Sequence, residues 1–143
     1  MPNDILKVSD KRVLVAGPIT SYSYEVGYTY TSQGASICFL TPDIDKARRI
    51  CDTLNESREL YKNHGRAAFS PLENKIEHLD KNVSTAIQYI HGLDIYIDAL
   101  NFFDPTMIPQ ELPTSILEKT SEILSERLRG RLILLIDNSF SHS

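Results

Sequence analysis

The sequence predicts a three-layer α/β fold: a five-stranded parallel sheet in strand order 3-2-1-4-5, with helices on both faces. Three observations carry that expectation. The apolar run 13–16 leads into Gly17, and further glycines at positions 27 and 34 mark a turn and a helix end. Short apolar runs then alternate with helix-length amphipathic stretches along the chain. The strand-sized runs are apolar throughout, as strands buried on both faces of a parallel sheet are.

Each element has its own signal. Residues 13–16 form a first strand, bounded by Arg12 and Gly17. Residues 22–34 form a helix carrying Tyr22, Tyr24, Tyr28 and Tyr30, with Gly34 as its stop. Residues 36–40 form a second strand, ended by Thr41-Pro42-Asp43. From 45 to 61, Ala47, Ile50, Cys51, Leu54 and Tyr61 share one helical face. Residues 65–69 form a weak third strand. Ile76, Leu79, Val83, Ala86, Ile87 and Ile90 recur at helical spacing, and Gly92 closes that helix. Residues 93–100 form a fourth strand, and Pro105, Pro109 and Pro113 mark the loop after it. Ser115 with Glu118 reads as a capping box. It opens a helix through Ile116, Leu117, Ile123, Leu124 and Leu128 that stops at Gly130. Residues 132–136 form the fifth strand, with seven residues after it. The expected organisation is an N-terminal tail, 1–10, followed by one Rossmann-like domain, 11–143.

Composition excludes several classes. The chain has 143 residues, 41% hydrophobic and 24% charged, with a net charge of -4. That suits one mildly acidic domain with a real core. The acidic balance and the lack of a Lys/Arg run argue against nucleic acid. No apolar run approaches the ~20 residues of a membrane span, and residues 1–12 lack the apolar core of a signal peptide. Cys38 and Cys51 are not in a metal or redox spacing, and Cys38 among Ile37, Phe39 and Leu40 reads as a buried free thiol. His64, His78, His91 and His142 are scattered, so no metal site is expected. The expected compartment is the cytoplasm.

Gly17, Ser23 and Gly27 have the spacing of the spread-out glycine turn of the enoyl-acyl-carrier-protein reductase branch of the short-chain dehydrogenase/reductases, and the chain resembles the N-terminal half of that family. Gly34-Ala35-Ser36-Ile37-Cys38-Phe39 resembles the family's entry into strand 2. Gly92-Leu93-Asp94-Ile95-Tyr96-Ile97 resembles its aspartate-led strand 4, and Gly130-Arg131-Leu132-Ile133 its glycine-led strand 5. The likeness spans roughly residues 11–140.

The resemblance implies an NAD(P) site at Gly17, Ile19, Ser23 and Gly27, with Asp43 at the ribose. The departures oppose it. Where the family places an acidic residue after strand 3, this chain has Ser70-Pro71-Leu72. Where it needs a glycine after strand 4, this chain has Asp98-Ala99-Leu100-Asn101-Phe102-Phe103. Pro18 removes a donor from the glycine turn. The family's catalytic tyrosine and lysine lie on the helix after strand 5, for which no candidate is present, so no catalytic residue is assigned. We therefore expect a turn kept for folding, Asp43 and Asp45 in turn and N-cap roles, and no cofactor. Asp98, a carboxylate inside a strand, reads as a catalytic base or as a sheet-edge group reaching solvent or a backbone N–H. Ser139 stands near the family's catalytic serine, without its tyrosine partner.

Two functional classes follow. The first is a catalytically inactive, shortened relative acting as a binding or regulatory module through self- or partner association. The second is a small enzyme with a nucleotide pocket. That enzyme would be a reductase completed by a partner chain, or a nucleoside deoxyribosyltransferase-like protein. Val15-Ala16-Gly17-Pro18-Ile19 and Glu25-Val26-Gly27-Tyr28 resemble the latter locally, though in the wrong order. The family covers strands 4 and 5 with later helices. A homodimer or partner complex is therefore expected to bury Ile95, Ile97, Phe102, Phe103, Leu134 and Ile136, with Phe140 contributing.

Overall fold

The structure, a computed structural model, describes residues 9–60, 64–100, 111–125 and 131–134. In chain order the elements are β1 (Arg12–Ala16), α1 (Ser23–Thr31), β2 (Ser36–Thr41), α2 (Ile44–Leu60), β3 (Ala67–Pro71), a 3-10 turn (Ile76–His78), α3 (Leu79–Ile90), β4 (Ile95–Asp98), α4 (Glu111–Ser125) and β5 (Arg131–Leu134). The α/β class and the parallel sheet agree with the sequence reading. The sheet runs β3-β2-β1-β4-β5, with β1 in the middle. Val13 lies beside Ile37 on one side and Ile95 on the other.

Alternation along each strand divides the core into two layers. Leu14, Ala16, Cys38, Leu40 and Tyr96 face one way and pack against Leu79, Val83 and Ala86 of α3 and Leu112 and Ile116 of α4. Val13, Val15, Ile37, Phe39, Ile95 and Ile97 face the other way, against Cys51 and Leu54 of α2 and Val26 and Tyr30 of α1. This accounts for the unbroken apolar runs. Each large side chain so buried contributes about 1.5–3 kcal/mol. Cys38 and Cys51 are both free and buried, and burial pushes both thiols up to about 12.

Ile95 and Ile97 are corrected by this arrangement. Each is only 2% exposed, within the core rather than at an open surface. The reason is the position of β4 between β1 and β5, an interior strand covered on both faces. Phe102, Phe103, Ile136, Phe140 and the side chain of Leu134 lie outside the described residues, as do Ser139 and most of the tail.

Several boundaries differ from the sequence reading. α1 stops at Thr31, and Gly34, at φ 94°, turns the chain three residues later. β3 runs to Pro71, which a strand at the sheet edge tolerates. The helix expected from Ile76 begins as a 3-10 turn and becomes α-helical at Leu79. His91, at φ 64°, supplies its left-handed cap. α4 starts at Glu111, so Ser115 and Glu118 sit inside it and form no capping box. Pro113 falls in its first turn, where the missing N–H costs nothing.

Candidate functional site

The turn from β1 into α1 is built by close backbone approach. Gly17 has φ 148°, and a Cβ there would stand 2.5 Å from the carbonyl oxygen of Ala99. The Ala99 amide donates to the Ala16 carbonyl at 2.8 Å, which holds the ends of β1 and β4 together. Gly27 serves packing as well. A Cβ on it would meet Leu54 Cδ1 at 2.6 Å and Phe39 Cζ at 3.2 Å. Both glycines are thus required by the fold, whether or not a ligand binds.

Five amides of the turn donate within the chain. The Gly17 amide donates to the Leu40 carbonyl at 3.1 Å. Pro18 has no amide hydrogen. The Ile19 amide donates to Asp43 Oδ2 at 2.9 Å, and the Thr20 amide to Ser23 Oγ at 2.9 Å. The Tyr22 amide donates to Thr20 Oγ1 at 3.2 Å, and the Ser23 amide to the Thr20 carbonyl at 3.1 Å. No side chain caps α1, and its first turn carries the exposed Glu25. Ile19 and Asp43 are therefore joined directly, with Gly17 and Ser23 in the same turn, while Gly27 lies within α1 against Leu54 and Phe39. What they form is a closed turn rather than an open cradle. The cavity among Val15, Gly17, Ile19, Ser23, Phe39 and Ala99 has a volume of about 20 Å³. That is room for about one water, where ligand pockets run to roughly 300–1,000 Å³.

Asp43 takes a role that the sequence reading did not assign. It stands just before α2, but its carboxylate reaches back to Ile19 across the two crossover turns. Asp45 pairs with Arg48 at 3.2 Å on the exposed face of α2. Glu25 is exposed on α1, directly after β1.

Asp98 ends β4 and is 9% exposed. Its Oδ1 accepts the Leu100 amide at 2.9 Å, the backbone N–H that one sequence reading anticipated. Burial raises its pKa, and the Leu100 amide offsets part of that rise. Tyr96, on the same face two residues earlier, is fully buried, and its hydroxyl has no hydrogen-bond partner among the described residues. Ser70 Oγ is likewise buried without one. An acidic group does follow β3, but at Glu73, beyond the Ser70-Pro71-Leu72 window. Its amide donates to Asn82 Oδ1 at 2.8 Å, and its carboxylate pairs closely with His78 Nδ1. That hydrogen bond lowers the Glu73 pKa.

Away from the turn, a groove of about 940 Å³ runs between the start of α3 and α4. It is lined by Glu77, Asp80, Glu118 and Glu122, with Lys119 paired to Asp80 at 3.2 Å. Among the described residues, no group of three His, Cys, Asp or Glu side chains is placed to hold a metal ion. No helix there is long and apolar enough to cross a membrane.

No family model matches this sequence, and no curated protein matches it. Solved structures do match the fold. A short-chain dehydrogenase/reductase from Mycobacterium ulcerans superposes with a TM-score of 0.70 at 14% identity, over 93% of this chain and 53% of its own. An NAD+-bound xylitol dehydrogenase gives a TM-score of 0.72 at 14% identity, over 90% of this chain and 53% of its own. A short-chain dehydrogenase/reductase from Mycobacterium marinum gives a TM-score of 0.72 at 16% identity, over 96% of this chain and 60% of its own. The chain thus spans little more than half the length of the structures it resembles. At these identities the likeness is one of fold: the chain has the Rossmann-like fold of the short-chain dehydrogenase/reductases.

Proposed function

We propose that this chain is a catalytically inactive relative of the short-chain reductases that works as a binding or regulatory module, without a dinucleotide cofactor. The observation that carries the reading is the bond from the Ile19 amide to Asp43 Oδ2 at 2.9 Å. A turn that binds pyrophosphate presents free amides and a positive end to the anion. Here a carboxylate already holds one amide, a serine hydroxyl holds the next, and the first turn of α1 carries a further negative charge at Glu25. The Gly17/Ser23/Gly27 spacing then remains as the trace of an enoyl-reductase-like turn. The module acts by associating with a second copy of itself or with another protein. Tyr22, Tyr24 and Tyr28, 59%, 40% and 46% exposed, support that half of the reading by giving α1 an aromatic outer face.

One observation favours the alternative, a small enzyme with a nucleotide pocket. Asp98 is a buried carboxyl with a raised pKa, one residue from the Ala99 backbone that lies against Gly17. Titration with NADH and NADPH, followed by fluorescence and thermal shift, separates the two. The module reading expects no saturable binding at micromolar cofactor and no turnover of enoyl or carbonyl substrates. Micromolar binding revives the enzyme. Sedimentation at micromolar concentration tests association, and a monomer that captures no partner removes that part of the proposal.

A further inference from the structure

We infer that Asp43 is an internal anion: its carboxylate latches the β1–α1 turn shut at the Ile19 amide, and an external anion reaches that amide only when Asp43 leaves it. The inference rests on the reading of the turn as cofactor-free and names the residue responsible.

The geometry leaves Asp43 little freedom to do otherwise. Its own amide donates to Thr41 Oγ1 at 3.1 Å, and Thr41 is fully buried. Its carbonyl accepts the Ala47 amide at 3.0 Å as α2 begins. The residue's main chain is thereby pinned at both ends. A residue in this position commonly turns its side chain onto the amides of its own helix. Asp43 instead spans the gap to a residue 24 positions earlier. Among the turn amides from Gly17 to Ser23 with an assigned acceptor, Ile19 alone donates to a charged group. A hydrogen bond to an ionised acceptor is about twice as strong as a neutral one. An incoming anion must therefore displace a good acceptor. The contact is autoinhibitory in this plain sense.

The test compares the wild-type chain with Asp43→Ala and Asp43→Asn. The probes are sodium formate and inorganic phosphate, each against sodium chloride at equal ionic strength. The readouts are the Ile19 and Thr20 amide resonances and the thermal midpoint. In the wild type, formate and phosphate move these amides no more than chloride does. In Asp43→Ala, both anions shift the Ile19 amide saturably and raise the midpoint, with an apparent affinity at least roughly tenfold above any wild-type response. Asp43→Asn keeps a neutral and weaker acceptor on Ile19, and its response is expected between those of the wild type and Asp43→Ala. Should Asp43→Ala not fold, Asp43→Ser supplies a helix-capping side chain too short to reach Ile19, and the same anion response is expected of it. An Ile19 amide that ignores formate and phosphate in the folded variant overturns the latch. So does a wild-type response equal to the variant's. Dinucleotide binding by the wild type is a separate outcome, and it overturns the cofactor-free reading.

Discussion

Arg12 and Asp94 form a two-pronged ion pair, Nε to Oδ2 at 2.8 Å and Nη2 to Oδ1 at 3.2 Å, between the start of β1 and the residue preceding β4. The main chain doubles it. The Arg12 amide donates to Asp94 Oδ2 at 2.9 Å, and the Asp94 amide donates to the Arg12 carbonyl at 2.8 Å. Arg12 Nη1 also donates to the His91 carbonyl at 2.9 Å, over Gly92, where a Cβ would stand 2.6 Å from it. The pair fastens the N-terminal ends of the interior strands β1 and β4, opposite the closed turn.

Arg12→Ala strips the guanidinium from a carboxylate whose side chain is only 11% exposed. The expected cost is about 2–3 kcal/mol, less than for a fully buried pair. Arg12→Lys recovers only part of it, because an ammonium cannot span both oxygens and the His91 carbonyl. Urea denaturation of the three proteins measures this. Equal stability of wild type and Arg12→Ala would show the pair to be idle.

Asp98 should make stability depend on pH. Burial holds its folded-state pKa above its unfolded value. The folded protein therefore keeps this proton at pH values where the unfolded chain has lost it. The contribution is complete below the ordinary carboxyl value of about 3.9. It fades as pH rises from there through the folded pKa. Asp98→Asn retains an acceptor for the Leu100 amide and removes the charge. It should exceed the wild type in stability at pH 7 and converge with it near pH 4, as read from denaturation midpoints across that range. Parallel curves at all pH values would exclude Asp98 as the source.

Tyr96→Phe should stabilise the protein. The Tyr96 hydroxyl is buried without a hydrogen-bond partner among the described residues, which costs roughly 1–3 kcal/mol. Phenylalanine fills nearly the same space without that group. A gain of about 1 kcal/mol in chemical denaturation is expected. A loss of similar size would mean that the hydroxyl is bonded after all.

Asn55 protects the sheet edge. From α2, its Nδ2 donates to the Ala67 carbonyl at 2.9 Å, and its Oδ1 accepts the Ala67 amide at 2.9 Å. An amide side chain thus satisfies a residue of the edge strand β3, whose other neighbour is β2. Asn55→Ala should cost about 1–3 kcal/mol and leave backbone groups open to pairing with other chains. Light scattering on mild heating should rise earlier than in the wild type. Unchanged stability and unchanged scattering would refute this role.

Sequence alone determined the alternation of strands and helices, the parallel sheet, and the glycines that its turns need. These features are legible because apolar period and glycine position act over a few residues. Gly17 could be placed in the turn, and Gly27 on the helix after it, from their spacing to Ser23. That Ala99 and Leu54 are the neighbours excluding a Cβ there is a matter of three dimensions. The tertiary structure decided the rest by bringing distant residues together. Arg12 meets Asp94 because β1 and β4 are adjacent in register. Asp43 meets Ile19 because β1 and β2 are parallel neighbours whose following turns leave the same end of the sheet. Asn55 meets Ala67 because α2 packs beside β3. Ile95 and Ile97 looked available for association as apolar residues of a strand whose covering was unknown, and their burial followed from the place of β4 inside the sheet. Local pattern specifies which elements form. Only the packing of those elements specifies which polar groups find each other, and in this chain that packing closes the turn on its own carboxylate.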